Sequence, residues 1–195
     1  MLGSRHGVMK NMVNTTEGNV RLEFLVPTRG LLGFRSHFLS ATRGDGVIHT
    51  LFHGYLPHAG EIGERSSGSL VSYETGLTTT FGLKNAEERG TLFCGPGTPV
   101  YAGMVIGKHQ RPGDLEINVC KKKELTNMRA ANADNEARLT TPRHMSLEEA
   151  IEYLAKDELL EVTPLNYRIR KQLLSASERG RINKAARKAA VEAVN

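Results

Sequence analysis

Three consecutive lysines, Lys121 to Lys123, begin the part of this sequence whose residue types are best suited to chemistry. The residues that follow add the amide of Asn127, the flexible thioether of Met128 and the guanidinium of Arg129. Lysine ammonium groups neutralise phosphates without reading base sequence. An amide beside a flexible apolar group can lie against a base or a ribose. The pattern therefore indicates contact with RNA, and its alternative is a solvated run of charge.

The surroundings of this triplet favour the first interpretation. Between Val119 and Leu139 the sequence has neither helical nor strand periodicity. A polar stretch of that length inside a domain is usually either functional or disordered. An apolar strand is predicted immediately before it, so we expect a rigid element to hold the lysines.

Three other suggestive patterns do not support a site. The stretch "GMVIGKH" at 103–109 has one residue too few between its glycines for a phosphate loop, and it lacks the serine or threonine after the lysine. The pair His49 and His53 lacks the glutamate of zinc hydrolases and lies in a predicted extended run. The "RGD" at 43–45 stands where a helix must end, which is sufficient reason for a turn. We expect no catalytic, cofactor or metal site in this chain.

Bulk composition indicates a globular protein with a basic surface. The chain has 195 residues, a net charge of +5 and a pI of about 9.3, which favours polyanionic partners. Cys94 and Cys120 form no C-x-x-C pair and read as free thiols. The sequence predicts neither a membrane helix nor a secretion signal, so we expect a cytoplasmic protein that binds neither membranes nor DNA.

Periodicity predicts an α+β fold in two parts. In the first, residues 20–26 alternate as a half-buried strand, residues 31–42 have helical spacing, and residues 47–57 return to an extended run. The second part is β-rich, with short apolar runs separated by glycine and proline. Ser146 with Glu149 fits a capping box for a helix, and Ser175 can cap a last one. The segment "LNYRIRKQLL" reads as a strand that presents Arg168 and Arg170 on one face.

Longer motifs carry a resemblance. The stretches "VPTRGLLGFRSHFLSATRGDGVIHTLFHGY", "GLKNAEERGTLFCGPGTPVYAGMVIGKH", "RPGDLEINVCKKKELTNMR" and "MSLEEAIEYLAKDELLEVTP" together resemble the C-terminal part of the BipA/TypA translational GTPases. The resemblance covers about residues 1–181, and the remainder looks like a variable basic tail.

The resemblance implies two domains. Residues 1–65 correspond to part of a ferredoxin-like unit similar to the fifth domain of elongation factor G, and residues 66–195 to the family's C-terminal domain with a basic tail. The family's GTP-binding domain and the first strand of the ferredoxin-like unit have no counterpart here. We therefore expect a fragment whose first unit is the less stable one, with GTP and magnesium binding only outside this chain.

The resemblance also implies partners. Family members bind the ribosome and are associated with large-subunit assembly and with growth under cold or stress. Their C-terminal domain is thought to extend a loop towards A-site tRNA. The RNA-binding residues implied by the loop motif, together with the strand arginines, are Lys121, Lys122, Lys123, Thr126, Asn127, Met128, Arg129, Arg168 and Arg170.

Two alternatives remain. The chain could be part of a GTPase whose catalytic domain lies elsewhere, contributing by docking alone. It could also be a protein-binding module, in which an acidic helix face with Glu148 and Glu152 meets a basic ribosomal protein.

Overall fold

A computed structural model describes residues 1–15, 18–60, 62, 65–122 and 139–192, without the side chains of 186, 187 and 189–192. Within these residues the chain forms two compact units. The first comprises Met1–Glu64 with Ile151–Tyr153, and the second Arg65–Ala150 with Leu154–Asn195. Helices and strands are mixed in the described residues, and the predicted α+β fold is confirmed.

The first unit is built on a two-stranded antiparallel ribbon. Strand β1 (Val8–Asn14) pairs with β2 (Val20–Leu25), with an irregularity between Met9 and Asn11. Short 3₁₀ turns lie at Gly3–Arg5 and Thr28–Leu31, and helix α1 covers Phe34–Ala41. The helix predicted over residues 31–42 is thus divided, because Gly33 adopts a left-handed φ of 65°.

Two expectations for this unit need correction. The strand at residues 20–25 is present, but Val20 and Leu22, expected on its buried face, are 52% and 51% exposed, since no described element covers them. Residues 47–57, expected to be extended, form neither helix nor strand. Most of their apolar side chains, among them Leu51 and Tyr55, are exposed, and no strand is paired with this segment among the described residues.

The second unit contains a six-stranded sheet around β7 (Met104–His109). On one side of β7 lies β3 (Ser69–Ser72), which pairs in parallel with β8 (Leu115–Ile117). The other side of β7 pairs with β10 (Tyr167–Lys171) and with β5 (Gly90–Leu92), and β10 pairs in turn with β9 (Glu158–Val162).

A separate two-stranded ribbon and three helices, the second of which is divided between the units, complete the described elements. The ribbon joins β4 (Gly76–Leu77) to β6 (Pro99–Val100). The helices are α2 (Thr80–Glu87), α3 (Leu147–Tyr153) and α4 (Ala176–Glu192). The capping box predicted at Ser146 is confirmed, since Glu149 N donates to Ser146 Oγ at 3.3 Å and Ser146 N donates to Glu149 Oε2 at 2.9 Å.

The core of the second unit is aliphatic, as the lack of tryptophan predicts. Leu70, Leu83, Ile106 and Val119 are fully buried and belong to one cluster. This cluster joins α2 to β3, β5 and β7 and includes Val119, two residues beyond the end of β8. The buried sheet and α2 therefore form the rigid support for the segment that begins at Lys121.

Candidate nucleic-acid interface

The chain reaches the lysine triplet through a firmly held stem. Strand β8 ends four residues before Lys121, and the fully buried Val119 fixes the intervening segment in the core. Thr79, the N-cap of α2, donates from its backbone N to the Val119 carbonyl at 2.9 Å. Its Oγ1 also donates to the Lys121 carbonyl at 2.5 Å. The backbone of Lys121 is thus tied to a helix end.

The close approach of α2 to this stem depends on a glycine. A Cβ added at Gly82 would lie 2.4 Å from the carbonyl oxygen of Val119, far inside van der Waals contact. Only glycine lets the helix pass this near to the stem backbone.

A second stem lies where the described residues resume. Leu139 packs against the core cluster, and Arg143 N donates to the Leu92 carbonyl at 2.8 Å. Thr140 N donates to Glu87 Oε1 at 2.7 Å, and the Thr140 hydroxyl donates to the same oxygen. These hydrogen bonds hold the pKa of the Glu87 carboxyl below its ordinary value.

The two stems meet opposite ends of one helix. Thr79 precedes α2, and Glu87 is its last residue. An eight-residue helix is about 12 Å long at 1.5 Å per residue. The described residues on either side of 123–138 are therefore tied to opposite ends of α2, about that far apart.

The side chains of Lys121 and Lys122 are exposed. Neither forms an ion pair with a carboxylate of the described residues. Their charges therefore remain accessible to a ligand. The other loop residues predicted to contact RNA lie outside the described residues: Lys123, Thr126, Asn127, Met128 and Arg129.

The two strand arginines stand beside a single carboxylate. Arg170 Nε lies 2.8 Å from Glu161 Oε1, and Arg168 is the direct cross-strand neighbour of Glu161. Tyr101 donates its hydroxyl to Glu161 Oε2 at 2.7 Å, and burial together with this carboxylate raises the pKa of that hydroxyl. Two cations against one anion leave this patch positive, but Arg170 is already engaged.

The lysine stem and the arginine patch flank the β4–β6 ribbon. Tyr101, which contacts the patch through Glu161, directly follows β6. On the other strand, Gly76 approaches Cys120, because a Cβ added there would lie 3.1 Å from the Cys120 sulfur. The β4–β6 ribbon thus approaches the residue before Lys121 on one strand and leads on the other strand to a residue that contacts the arginine patch.

A buried lysine was missed by reasoning from the sequence. Lys171 is only 1% exposed, and its Nζ lies 2.9 Å from Asp157 Oδ2 and 3.0 Å from Glu158 Oε1, with Asp114 as a third carboxylate partner. Burial alone would lower the pKa of Lys171, but the three carboxylates outweigh it and the pKa is raised. The available signal was strand alternation, which places Lys171 on the same face as the buried Ile169.

This cluster continues to the start of the second unit. Arg65 Nη2 donates to Glu158 Oε1 at 2.5 Å and to Ser69 Oγ at 2.8 Å. The side chain of Glu158 is itself fully buried. These ions bind one another and link β3, β9 and β10, so we assign them to the architecture and not to the RNA interface.

The two acids of the helix face predicted to meet a protein partner have different surroundings. Glu152 accepts a hydrogen bond from Arg5 and lies 3.4 Å from His37 Nε2, so it is engaged within the first unit. Glu148 remains exposed. In the ranges that the structure describes, no helix is both long and apolar enough for a bilayer, and no three potential ligands are grouped to hold a metal ion.

Comparison with known proteins identifies both units. Residues 1–66 match the family model described as the elongation factor G C-terminus. Residues 67–176 match the model described as the TypA/BipA C-terminal domain. An elongation-factor-like C-terminal domain followed by a β-rich domain is the class of protein that these matches define.

Individual relatives agree with the matches. The chain is 48% identical over 170 residues to the large ribosomal subunit assembly factor BipA of Synechocystis, covering 87% of this chain and 28% of the relative. It is 47% identical over 188 residues to the protein of the same name in Bacillus subtilis, covering 96% and 30%. The putative elongation factor TypA-like SVR3 of Arabidopsis thaliana is 48% identical over 87% of this chain.

This chain belongs to the TypA/BipA family and corresponds to its C-terminal part. It spans 30% or less of the length of these relatives. The resemblance inferred from the sequence motifs is thereby confirmed.

Proposed function

We propose that this chain is the ribosome-binding C-terminal module of a factor that acts in assembly of the large ribosomal subunit. The relatives named above carry that role in their names. One observation carries the proposal: Lys121 and Lys122 are exposed, and no described carboxylate pairs with them, on a backbone fixed by Thr79.

Physical chemistry favours phosphate as the ligand of these lysines. An ammonium group on an ordered stem loses less conformational freedom on binding than one on a freely moving chain. Phosphate contacts set position and affinity, whereas bases are read by other side chains. In the proposal, Lys121–Lys123 and Arg129 contact the RNA backbone, with Arg168 adding charge beside the engaged Arg170.

The proposal extends to contacts of individual side chains with tRNA. Thr126, Asn127 and Met128 would lie against A-site tRNA, with hydroxyl, amide and thioether groups suited to ribose and base. Large-subunit rRNA and ribosomal proteins would form the remaining contacts. We propose a cytoplasmic location and action during cold or stress for the whole protein.

The chemistry of the whole protein would reside outside this chain. GTP and magnesium would bind a separate GTP-binding domain, and this chain would contribute docking without hydrolysis. A GTP turnover assay on the isolated chain, with and without ribosomes, tests this division. Turnover by the isolated chain would contradict it.

The central experiment is co-sedimentation of the 195-residue chain with ribosomes across a salt series. Substituting Lys121, Lys122 and Lys123 together by Gln removes three phosphate contacts. We expect at least about tenfold weaker binding and a log–log salt slope that is flatter by about 2 to 3, because each contact releases about 0.7 to 0.9 counterions.

A matched variant separates the site from net charge. Lys84, Lys108 and Arg111 are exposed cations of the same unit, and changing all three to Gln alters the charge equally. This control should bind ribosomes nearly as wild type does. Equal binding by the 121–123 variant and wild type would remove these lysines from the interface, and absence of wild-type binding would refute the function.

A further inference from the structure

Helix α4 is held to the second unit at its first turn. Ser175 caps it, with its Oγ accepting from Glu178 N at 3.5 Å, as the sequence predicts. Arg179 donates from Nη1 to the Leu173 carbonyl at 2.5 Å and to the Leu174 carbonyl at 2.7 Å. Its Nη2 pairs with Glu116 in β8, and the Arg179 side chain is largely buried. This helix therefore has a defined anchored face.

A row of cations occupies the opposite face. At 100° per residue, Arg181, Lys184 and Lys188 lie at about 200°, 140° and 180° from Arg179. All three are exposed. They fall within an arc of about 60° and extend over about 10 Å of helix at 1.5 Å per residue. Helical periodicity thus places the three positive charges on the side directed away from the anchor.

The composition of this face suits a polyanion better than water alone. Exposed helices commonly interleave acids with bases at i+4 to form stabilising pairs. The sequence contains no acidic residue between Arg181 and Lys188, and Glu192 follows at about 220° near the end of the helix. The neighbouring alanines maintain the helix without adding charge.

We infer that α4 is a second phosphate-binding element, which lays Arg181, Lys184 and Lys188 along the backbone of RNA. The inference rests on the proposed ribosome-binding function and adds a surface to it. The matched TypA/BipA domain ends at residue 176, where α4 begins. This contact is therefore distinct from the lysine segment and lies beyond the family domain.

The expected partner is RNA backbone and not a base-specific site. Lysine and arginine on a smooth helix face reach phosphate oxygens, whereas sequence reading requires access to base edges. The deep, narrow major groove of A-form RNA excludes such a helix, so it would lie across the phosphates of a duplex. Binding should depend strongly on salt and weakly on sequence.

The test uses the 195-residue chain with a fluorescein-labelled RNA duplex of about 20 base pairs, long enough to accept several protein–phosphate contacts. Fluorescence anisotropy is measured at several salt concentrations. Changing Arg181, Lys184 and Lys188 together to Gln preserves helix propensity and removes the charge. We expect affinity to fall about tenfold or more and the salt slope to flatten by about 2 to 3.

Two control variants show whether a loss of RNA affinity comes from the cations of α4 or from the change in net charge. The charge-preserving variant Arg181→Lys, Lys184→Arg, Lys188→Arg should retain affinity within about threefold, since phosphate contacts depend chiefly on charge. The Lys84, Lys108 and Arg111 variant described above should also retain it. Equal weakening by that second control would show a net-charge effect and overturn the inference. Circular dichroism checks that helix content is unchanged.

The remaining outcomes separate this inference from the proposed function. If the wild-type chain binds ribosomes, and the α4 variant binds both the duplex and ribosomes as tightly as wild type does, only the α4 contact is overturned. If the wild-type chain binds neither the duplex nor ribosomes, both the α4 contact and the proposed ribosome-binding function are overturned. Anionic phosphatidylserine vesicles form a final arm, and a variant that loses vesicle binding but keeps duplex binding would assign the row to a membrane surface instead.

Discussion

The two units use similar apolar residues with opposite results. In the second unit, Leu70, Leu83 and Ile106 are completely buried between α2 and the sheet. In the first, Val20 and Leu22 are about half exposed. The difference lies in coverage, because α2 packs against the sheet that contains β7, whereas no described element covers Val20 and Leu22 on the β1–β2 ribbon.

This comparison shows what strand periodicity does and does not determine. Alternating apolar residues give a strand one apolar face, but burial requires a second layer against that face. A two-stranded ribbon alone is at best marginally stable in water. The better-packed second unit carries the stems of the lysine segment and the base of α4, so the proposed RNA contacts depend on it.

Hydrogen exchange should show the largest difference between the units. We expect the amides of β2 to exchange about a thousandfold faster than those of β7, because opening free energies range from near zero to the global value. Nuclear magnetic resonance or mass spectrometry of the 195-residue chain measures both strands in one sample.

The controls for this experiment lie in the same chain. Amides of β10, the neighbour of β7, should be protected like β7 itself. Equal protection of β2 and β7 would contradict the comparison and would also refute the expectation, derived from the family resemblance, that the first unit is less stable.

Local signals in the sequence predicted local structure well. Both helix caps, at Ser146 and Ser175, and the strand around Ile169 were recognisable because each depends on residues within a few positions. The exposure of residues 47–57 was not, because it depends on which other segments lie alongside. The lysine segment was found by composition, while its attachment to both ends of α2 is a long-range property.

The burial of Lys171 illustrates the same limit at the level of charge. Its neighbours Arg168 and Arg170 are equally basic, and only the parity of the strand separates the inward lysine from the arginines. Its partners Asp114 and Asp157 come from other parts of the chain. The alternation of side chains along the strand could therefore have indicated that Lys171 points inward, but not which carboxylates neutralise it.

Removing the Lys171 charge should give the next largest effect. Lys171→Met leaves Asp114, Asp157 and Glu158 without their shared cation, and breaking a buried ion pair costs about 3–5 kcal/mol. We expect the free energy of unfolding, measured by guanidinium titration, to fall by about that amount. Lys84→Met, on an exposed site, should change it by no more than about 0.5 kcal/mol.

The contribution of Lys171 to folding stability should be lost at alkaline pH. The pKa of Lys171 is higher in the folded chain than in the unfolded one. Its contribution to stability is therefore complete below the ordinary lysine pKa of about 10.4 and is lost as pH rises through the folded value. Lys171→Met should remove this alkaline loss, and an unchanged alkaline transition in the variant would contradict the assignment.

The smallest expected effect comes from a leucine of the first unit. Leu51 is 94% exposed, so Leu51→Ala removes almost no buried surface and should change the free energy of unfolding by no more than about 0.5 kcal/mol. Leu83 is fully buried, and the same substitution there should cost about 2–5 kcal/mol through lost contacts and a cavity. Guanidinium titration of both variants measures the pair. If Leu51→Ala cost as much as Leu83→Ala, the segment containing Leu51 would be packed in solution, and coverage would no longer distinguish the two units.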